Sequence, residues 1–321
     1  MQKRSIYLIL SLIALFAIIG FMVWDFYAKE QPNENPYEFK LDNWQNVDKA
    51  QISHQEIMQI PVEIDVLRAI VIDNEDQVYI SGKDKLMFFS NEGKLQKEIP
   101  TNQQAFCLFI SEDEKLYMAS RTEVFVYDLE GNYLKTINPE IERLLITSIV
   151  VKDDYLYLAD AGNKIMHQCD LQGNLIKEIG GKSEDAGIDG FVIPSPYFDL
   201  AIGRNGEIWA ANTGRHQLES YDETGRLIYS WKKSSMELDG FSGCCNPSHF
   251  AFLSNGSFVT SEKGIERIKI HSPNGEFLSV VAPPTAFEKG TKGIDIAIDS
   301  EDRIWTIDPM RSLIRVFAPK E

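Results

Sequence analysis

The stretch "YLYLADAGNKIMHQCDLQGNLIKEIG" (Tyr155–Gly180) holds three short strands and two turns. Tyr157 is an aromatic in the first strand, Asp160 opens a turn, and Gly173 precedes the last strand. The same skeleton recurs in Asp76–Ile99, Glu114–Ile137, Gly206–Trp231 and Gly256–Val281. The aromatic recurs as Tyr79, Tyr117, Trp209 and Phe258, and the glycine as Gly93, Gly131, Gly225 and Gly275. The separation between them is 14 to 17 residues in every copy. A fixed unit repeated along a chain marks a repeat architecture, and a unit of strands and glycine turns marks a propeller blade.

Each unit is preceded by a more continuously apolar run ("AIVID", "CLFIS", "SIVVK", "DLAIG", "AFLSN", "IDIAID"), as a strand near a crowded axis requires. The dipeptides EG, QG, TG and NG before the last strand supply the positive φ of a tight hairpin. A sixth copy, Asp302–Glu321, starts normally at Trp305 and stops short of a fourth strand. "HQEIMQI" (His54–Ile60) matches that missing strand, and pairing it there would cover an exposed sheet edge. The predicted fold is therefore all-β, a six-bladed β-propeller closed by its two ends.

The third copy resembles an NHL repeat through its Asp160-x-x-Asn163 turn, the isoleucine that follows and the terminal Gly180. The resemblance covers roughly residues 60–320 and is strongest in the third and fourth copies. It implies a six-bladed propeller of a kind used for protein and ligand binding, in receptor ectodomains and in a minority of enzymes, a zinc lyase among them. Gly243–Ile270 also resembles a recurring segment of bacterial NHL-type proteins without assigned function. A shared fold narrows function only slightly.

Ile6–Trp24, "IYLILSLIALFAIIGFMVW", is uncharged and long enough to cross most of a bilayer. Lys3 and Arg4 precede it, so the positive-inside rule leaves residues 1–5 in the cytoplasm. A signal anchor over 6–24 is expected, then a polar linker over 25–50 and the propeller over 51–321, outside the cytoplasm. A cleaved signal peptide is the alternative, but no small-x-small site follows the apolar stretch. The formal net charge of −16 disfavours nucleic acid and anionic lipid as partners. The expected partner is an extracytoplasmic protein or small molecule, with the membrane engaged only by the helix.

Propeller ligands usually meet the central funnel, and two long connections face that end: Gly180–Leu200 and Lys232–Phe252. The second holds "GFSGCCNPSHF", with Cys244 and Cys245 adjacent. Neighbouring Cα atoms lie about 3.8 Å apart, whereas disulfides prefer about 4.4–6.8 Å, so a bridge here is a strained ring. In an oxidising compartment the pair is a disulfide or redox candidate; reduced structural thiols and metal ligation are the other two readings. A metal would need Cys244, Cys245, His249 and a fourth ligand such as His216 or His271, and no CxxC or HxH spacing supplies one. In quinone-cofactor propeller dehydrogenases a vicinal ring stacks on the cofactor, but those propellers have eight blades.

His249 starts an inner strand and would face the funnel, with Tyr197 on the neighbouring long loop. Arg215 and His216 share a turn. Glu262 and Lys263 stand at a blade turn where a rim salt bridge, or part of a polar ring for an anionic or sugar ligand, is expected. Asp160, Asn212 and Asp308 read as turn caps. No GxSxG elbow, HExxH, P-loop or EF-hand loop occurs in the sequence. The first expectation is thus a membrane-anchored binding module. The alternative is an enzyme or redox protein using Cys244, Cys245 and His249, with a metal or quinone. The sequence assigns no cofactor.

Overall fold

The computed structural model of the chain describes residues 2–28, 44–182 and 189–320. Gln2–Ala28 is one α-helix, and its Ile6–Asp25 stretch is long and apolar enough to cross a membrane, as an anchor or a signal sequence does. Most of the expected linker, residues 29–43, lies outside the described residues. Its last part belongs to the propeller: the Trp44 indole donates to Glu237 Oε1 at 3.1 Å, and Asp48 caps a short 3-10 turn over Lys49–Gln51.

Among the described residues, six four-stranded antiparallel sheets follow one another. Blade one runs Leu67–Ile72, Val78–Gly82, Lys85–Phe89, Leu95–Pro100 from the axis outward, and blades two to five repeat that order. Blade six takes its first three strands from the C-terminal end (Ile296–Ile298, Ile304–Asp308, Leu313–Pro319) and its outer strand from His54–Pro61. The register pairs His54 with Pro319 and Ile60 with Ile314. The ring thus closes between the two ends of the propeller with the strand expected from the sequence.

The repeated aromatics are the wedges between blades. Tyr79, Tyr117, Tyr157, Trp209, Phe258 and Trp305 are all buried on second strands. Each of Tyr79, Tyr157 and Trp305 shares an apolar cluster with the inner strand of the following blade: Tyr79 with Leu108, Tyr157 with Leu200, and Trp305 with Ile70. The repeated glycines serve the same packing. Gly275 has φ +84°, and a Cβ there would lie 2.4 Å from Trp231 on the outer strand of blade four. The hairpin closes against its neighbour only because that atom is missing.

Candidate functional site

Six equivalent register positions lie at or near the starts of the six inner strands. Ala69, Cys107, Ser148 and His249 pair with Ser81, Ala119, Ala159 and Ser261, each one residue before the turn that ends its second strand. Asp199 and Asp295 occupy the same register in blades four and six, where their carbonyls accept from Ala211 N and Ile307 N. His249 therefore stands between two carboxylates contributed by its two neighbouring blades. Its Nδ1 is 3.3 Å from Asp295 Oδ1 and 3.7 Å from Asp199 Oδ2.

Both carboxylates are held by inner-strand groups. Asp199 Oδ1 accepts from Ser148 Oγ at 2.7 Å and from Leu200 N at 3.0 Å, and Oδ2 accepts from Phe250 N. Asp295 accepts from Ile70 N and Ile296 N. Burial, reinforced by Asp199 and opposed by His249, pushes the Asp295 carboxyl up to about 6. Burial also works against the imidazolium of His249, but the two carboxylates outweigh it and its pKa rises. The cluster can hold a proton near neutral pH, which an ordinary aspartate does not.

Two cavities meet at this ring. An axial cavity of about 430 Å3 is lined by all six inner strands. A second cavity, of about 380 Å3, opens at the loop-bearing face, and the two share Phe106, Thr147 and His249 as walls. Cations gather at that mouth. The Arg68 and Arg121 guanidinium carbons lie 5.4 and 5.3 Å from the centre of the Phe106 ring, and Lys292 lines the same wall. Lys263 Nζ stands 4.6 Å over the Tyr197 ring, whose edge meets His249 at 5.9 Å. Arg68 Nε and Nη2 donate to the Gln104 side-chain oxygen at 3.1 Å, and a guanidinium stacked on an aromatic face can still present its remaining donors to a carboxylate or phosphate.

The cysteine loop stands beside the mouth. Cys244 is exposed and Cys245 fully buried, and both are free thiols with Sγ atoms 3.0 Å apart. Burial acts to raise the Cys245 pKa, but hydrogen bonds from Ser195 and Cys244 and the Lys263 ammonium outweigh it and lower it. Lys263 Nζ also donates to Ser195 Oγ at 3.2 Å. The loop is pinned on both sides: His216 Nε2 bonds Gly243 O at 2.6 Å, and Asn246 Nδ2 donates to Ser242 O and to Lys263 O. Gly243 takes φ +72°, the left-handed region that its lack of a Cβ permits.

Five of the expected residues thus fall together: Cys244, Cys245, Lys263, Tyr197 and His249. Three hold loops instead. His216 uses both ring nitrogens, on Gly243 O and Ser234 Oγ, to fasten the cysteine loop. Arg215 pairs with Asp189 at 3.1 Å and donates to Gly190 O. The expected rim salt bridge between Glu262 and Lys263 is not formed. Glu262 is buried, with Arg267 Nε at 2.8 Å and Lys269 Nζ at 2.7 Å from its Oε1. The added methylene carries its carboxylate past the turn into the blade.

Asp160 caps its turn, accepting from Gly162 and Asn163 N as well as from Leu145 N, and Asp308 accepts from Arg311 N, but Asn212 does not cap the turn that follows it and accepts instead from Val192 N of the preceding long connection. Sequence reasoning missed Asp199, Asp295, Arg68, Arg121, Phe106 and Lys292. For the two aspartates a signal existed, since they occupy the His249 position in copies four and six. The others converge only once the ring closes. Among the described residues, no group of three or more His, Cys, Asp or Glu side chains is arranged to hold a metal ion.

No family model matches the chain, and no curated protein matches it. Solved structures share its fold. A streptogramin B lyase is 10% identical with a TM-score of 0.58, over 85% of this chain and 100% of that chain. Virginiamycin B lyase from Staphylococcus aureus is 12% identical with a TM-score of 0.57, over 83% and 100%. A protein of unknown function from Bacteroides thetaiotaomicron is 13% identical with a TM-score of 0.61, over 84% and 74%. Likeness at these identities is a likeness of fold, and sites on one fold differ freely.

Proposed function

We propose that this chain is a membrane-anchored propeller, with its N-terminus in the cytoplasm and its propeller outside, that binds an anionic ligand in the mouth of its funnel. The observation that carries this reading is local charge against global charge. A protein of net charge −16 places Arg68, Arg121, Lys263 and Lys292 around Phe106 and Tyr197 at one mouth. Such a field draws in and orients an anion, and the two aromatic faces suit a ligand with an apolar part. Small organic carboxylates and phosphate esters have that chemistry, and so does an acidic side-chain cluster of a partner protein.

The test is a calorimetric titration of the propeller, residues 44–321, with aromatic and aliphatic mono- and dicarboxylates and phosphate esters. Arg68→Ala with Arg121→Ala is expected to weaken binding by about tenfold or more, since each 1.4 kcal/mol is a factor of ten. No binding by any anion, or binding that ignores the double substitution, overturns the reading. The anchor is tested separately. A tag after Glu321 should be cut by external protease in spheroplasts, and protection of that tag in intact spheroplasts would refute the orientation.

The alternative, an enzyme using Cys244, Cys245 and His249 as one unit, is less well supported. Lys263 and Tyr197 stand between the thiols and the imidazole.

A further inference from the structure

The thiol pair has a feature that anion binding does not use. One sulfur faces solvent, and the other is enclosed beneath it with a cation and a hydroxyl against it. Cys107, on the wall of the axial cavity, and Cys169, in a blade core, are both buried, and desolvation pushes their thiols up, reinforced at Cys107 by Asp199 and Asp295. Their environment is that of inert structural residues. The environment of Cys245 is different. Ser195 and the Lys263 ammonium lower its pKa, and Lys263 is itself held by Ser195 and over the Tyr197 ring. A soft metal cation is a poor occupant of this pair, because the Lys263 ammonium would face it across the same sulfur. A thiolate is what a fixed ammonium favours.

We infer that Cys244 and Cys245 form a thiol–disulfide exchange centre for an accessible disulfide, with Cys244 as the attacking sulfur and Cys245 as the resolving one. The inference goes beyond the funnel reading and does not depend on it. In the first step Cys244 loses its proton to solvent and attacks one sulfur of R–S–S–R. A Cys244–S–S–R bond forms, the substrate S–S bond breaks, and RS− leaves and takes a proton from solvent. In the second step the Cys245 thiolate, its proton also given to solvent, attacks Cys244 Sγ and expels the second RS−. The protein dithiol is oxidised by two electrons to a vicinal disulfide, and the substrate is reduced to two thiols. Run in reverse, the same steps oxidise a dithiol substrate.

The geometry suits the assignment of roles. A molecule as bulky as a disulfide reaches exposed Cys244 and not enclosed Cys245. The resolving sulfur already lies 3.0 Å from its target, on a loop pinned by His216 and Asn246, so the second step needs little rearrangement. Lys263 is a positioning residue that favours the charged form of the buried sulfur, while contact with Cys245 raises the pKa of the attacking Cys244 thiol.

The test uses the full chain in detergent micelles, reduced and then freed of reductant under argon. Oxidised glutathione is one probe and the neutral 2-hydroxyethyl disulfide a second, so that exchange is read even if the funnel holds no anion. The expected result is release of two thiols per chain, with the peptide holding both cysteines lighter by two hydrogens. Cys107 and Cys169 stay unmodified. Cys245→Ser should stop after one thiol with a stable adduct on Cys244, and Cys245→Ala should do the same if serine disturbs the fold. Cys244→Ser should not react. Lys263→Gln should lengthen the life of the wild-type mixed disulfide by roughly three- to tenfold, as expected when a resolving thiol loses its charge partner. No thiol release by the wild type, an adduct that never resolves, or unchanged reactivity of Cys244→Ser would each overturn the inference. An unchanged resolution rate in Lys263→Gln would remove Lys263 from it.

Discussion

Glu262 and Lys269, seven residues apart on adjacent strands of blade five, form a fully buried ion pair of 2.7 Å. The same spacing links Asp160 to His167, Asn212 to Glu219 and Asp308 to Arg315 in blades three, four and six. In three of these blades the pair also fastens the long connection beside it. Arg267 and Lys269 donate to carbonyls of Met236–Gly240, Asn212 donates to Gly190 O, and Arg315 donates to Ala286 O. The loops that shape the funnel are thus tied to buried charge inside the blades.

Glu262→Gln should be severe for that reason. Removing the carboxylate leaves Arg267 and Lys269 buried with only the more distant Asp239 opposing their charge, and breaking a buried pair costs about 3–5 kcal/mol. Urea unfolding of the variant is expected to show a loss of that size. A change under about 1 kcal/mol, the value of an exposed pair, would contradict the burial. The cysteine loop shares this anchor, so alkylation of Cys245 in the folded variant should also become faster.

Ring closure rests on a comparable clasp. Arg315 is buried and makes two bonds to Glu56 on the closing strand, at 2.6 and 2.9 Å, with Asp308 at 3.4 Å. Arg315→Ala should cost about 3–5 kcal/mol, and Arg315→Lys should recover only part, since an ammonium cannot make the forked contact. Hydrogen exchange gives the local readout: amides of His54–Pro61 should lose protection first. Uniform loss across all blades would show that the clasp is not specific to closure.

The fold was legible because the blade is a local object. The aromatic, the turn glycine and the alternation between them all lie within one repeat, and even the closing strand carries the pattern of its counterparts. The funnel is not local. Arg68, Phe106, Arg121 and Lys292 belong to blades one and two and to the connection before blade six, and nothing in their neighbourhoods sets them apart from other surface residues. Asp199 and Asp295 were legible in principle, as the register partners of His249. Glu262 was misplaced because its position was compared with Asp and Asn residues read as turn caps. Its partners at five and seven residues along were the better guide.

His271 predicts a pH dependence of stability. It is buried against Trp231, Phe241 and Phe277, at 5.1, 5.3 and 6.2 Å between ring centres, and neither ring nitrogen has a hydrogen-bond partner. Burial, with repulsion from Lys269, lowers its pKa from 6.5 to about 3. The unfolded chain therefore binds a proton that the folded chain refuses across this window. Stability is complete above 6.5 and lost as pH falls toward 3, by at most about 1.4 kcal/mol per pH unit. His271→Phe keeps the packing and removes the titration, so it should leave stability near pH 8 almost unchanged and shift acid unfolding to lower pH. His54, lowered to about 4, remains and keeps part of the acid sensitivity. An acid midpoint that does not move in His271→Phe would assign the effect elsewhere.

Anion binding at the funnel mouth should depend on pH in the opposite sense to an ordinary carboxylate site. The groups beneath the mouth are His249, Asp199 and Asp295, with Arg68, Arg121, Lys263 and Lys292 above them. Asp295 takes up a proton at about 6, and His249 holds its proton above its usual range. Each bound proton adds one positive charge to the cavity wall. Affinity for an anion should be highest below about 6 and fall as pH rises through 6 and past the raised value of His249. Titration of the propeller with its best-bound carboxylate from pH 5 to pH 8 checks this, using ligands already fully ionised at pH 5. Asp295→Asn should leave a single step, moved down because the imidazolium has lost a carboxylate, and His249→Gln a single step, moved up because the Asp295 carboxyl has lost its cation, while both variants still bind through the arginines. Affinity that is flat with pH in the wild type would separate the mouth from the ring below it and confine recognition to the loops.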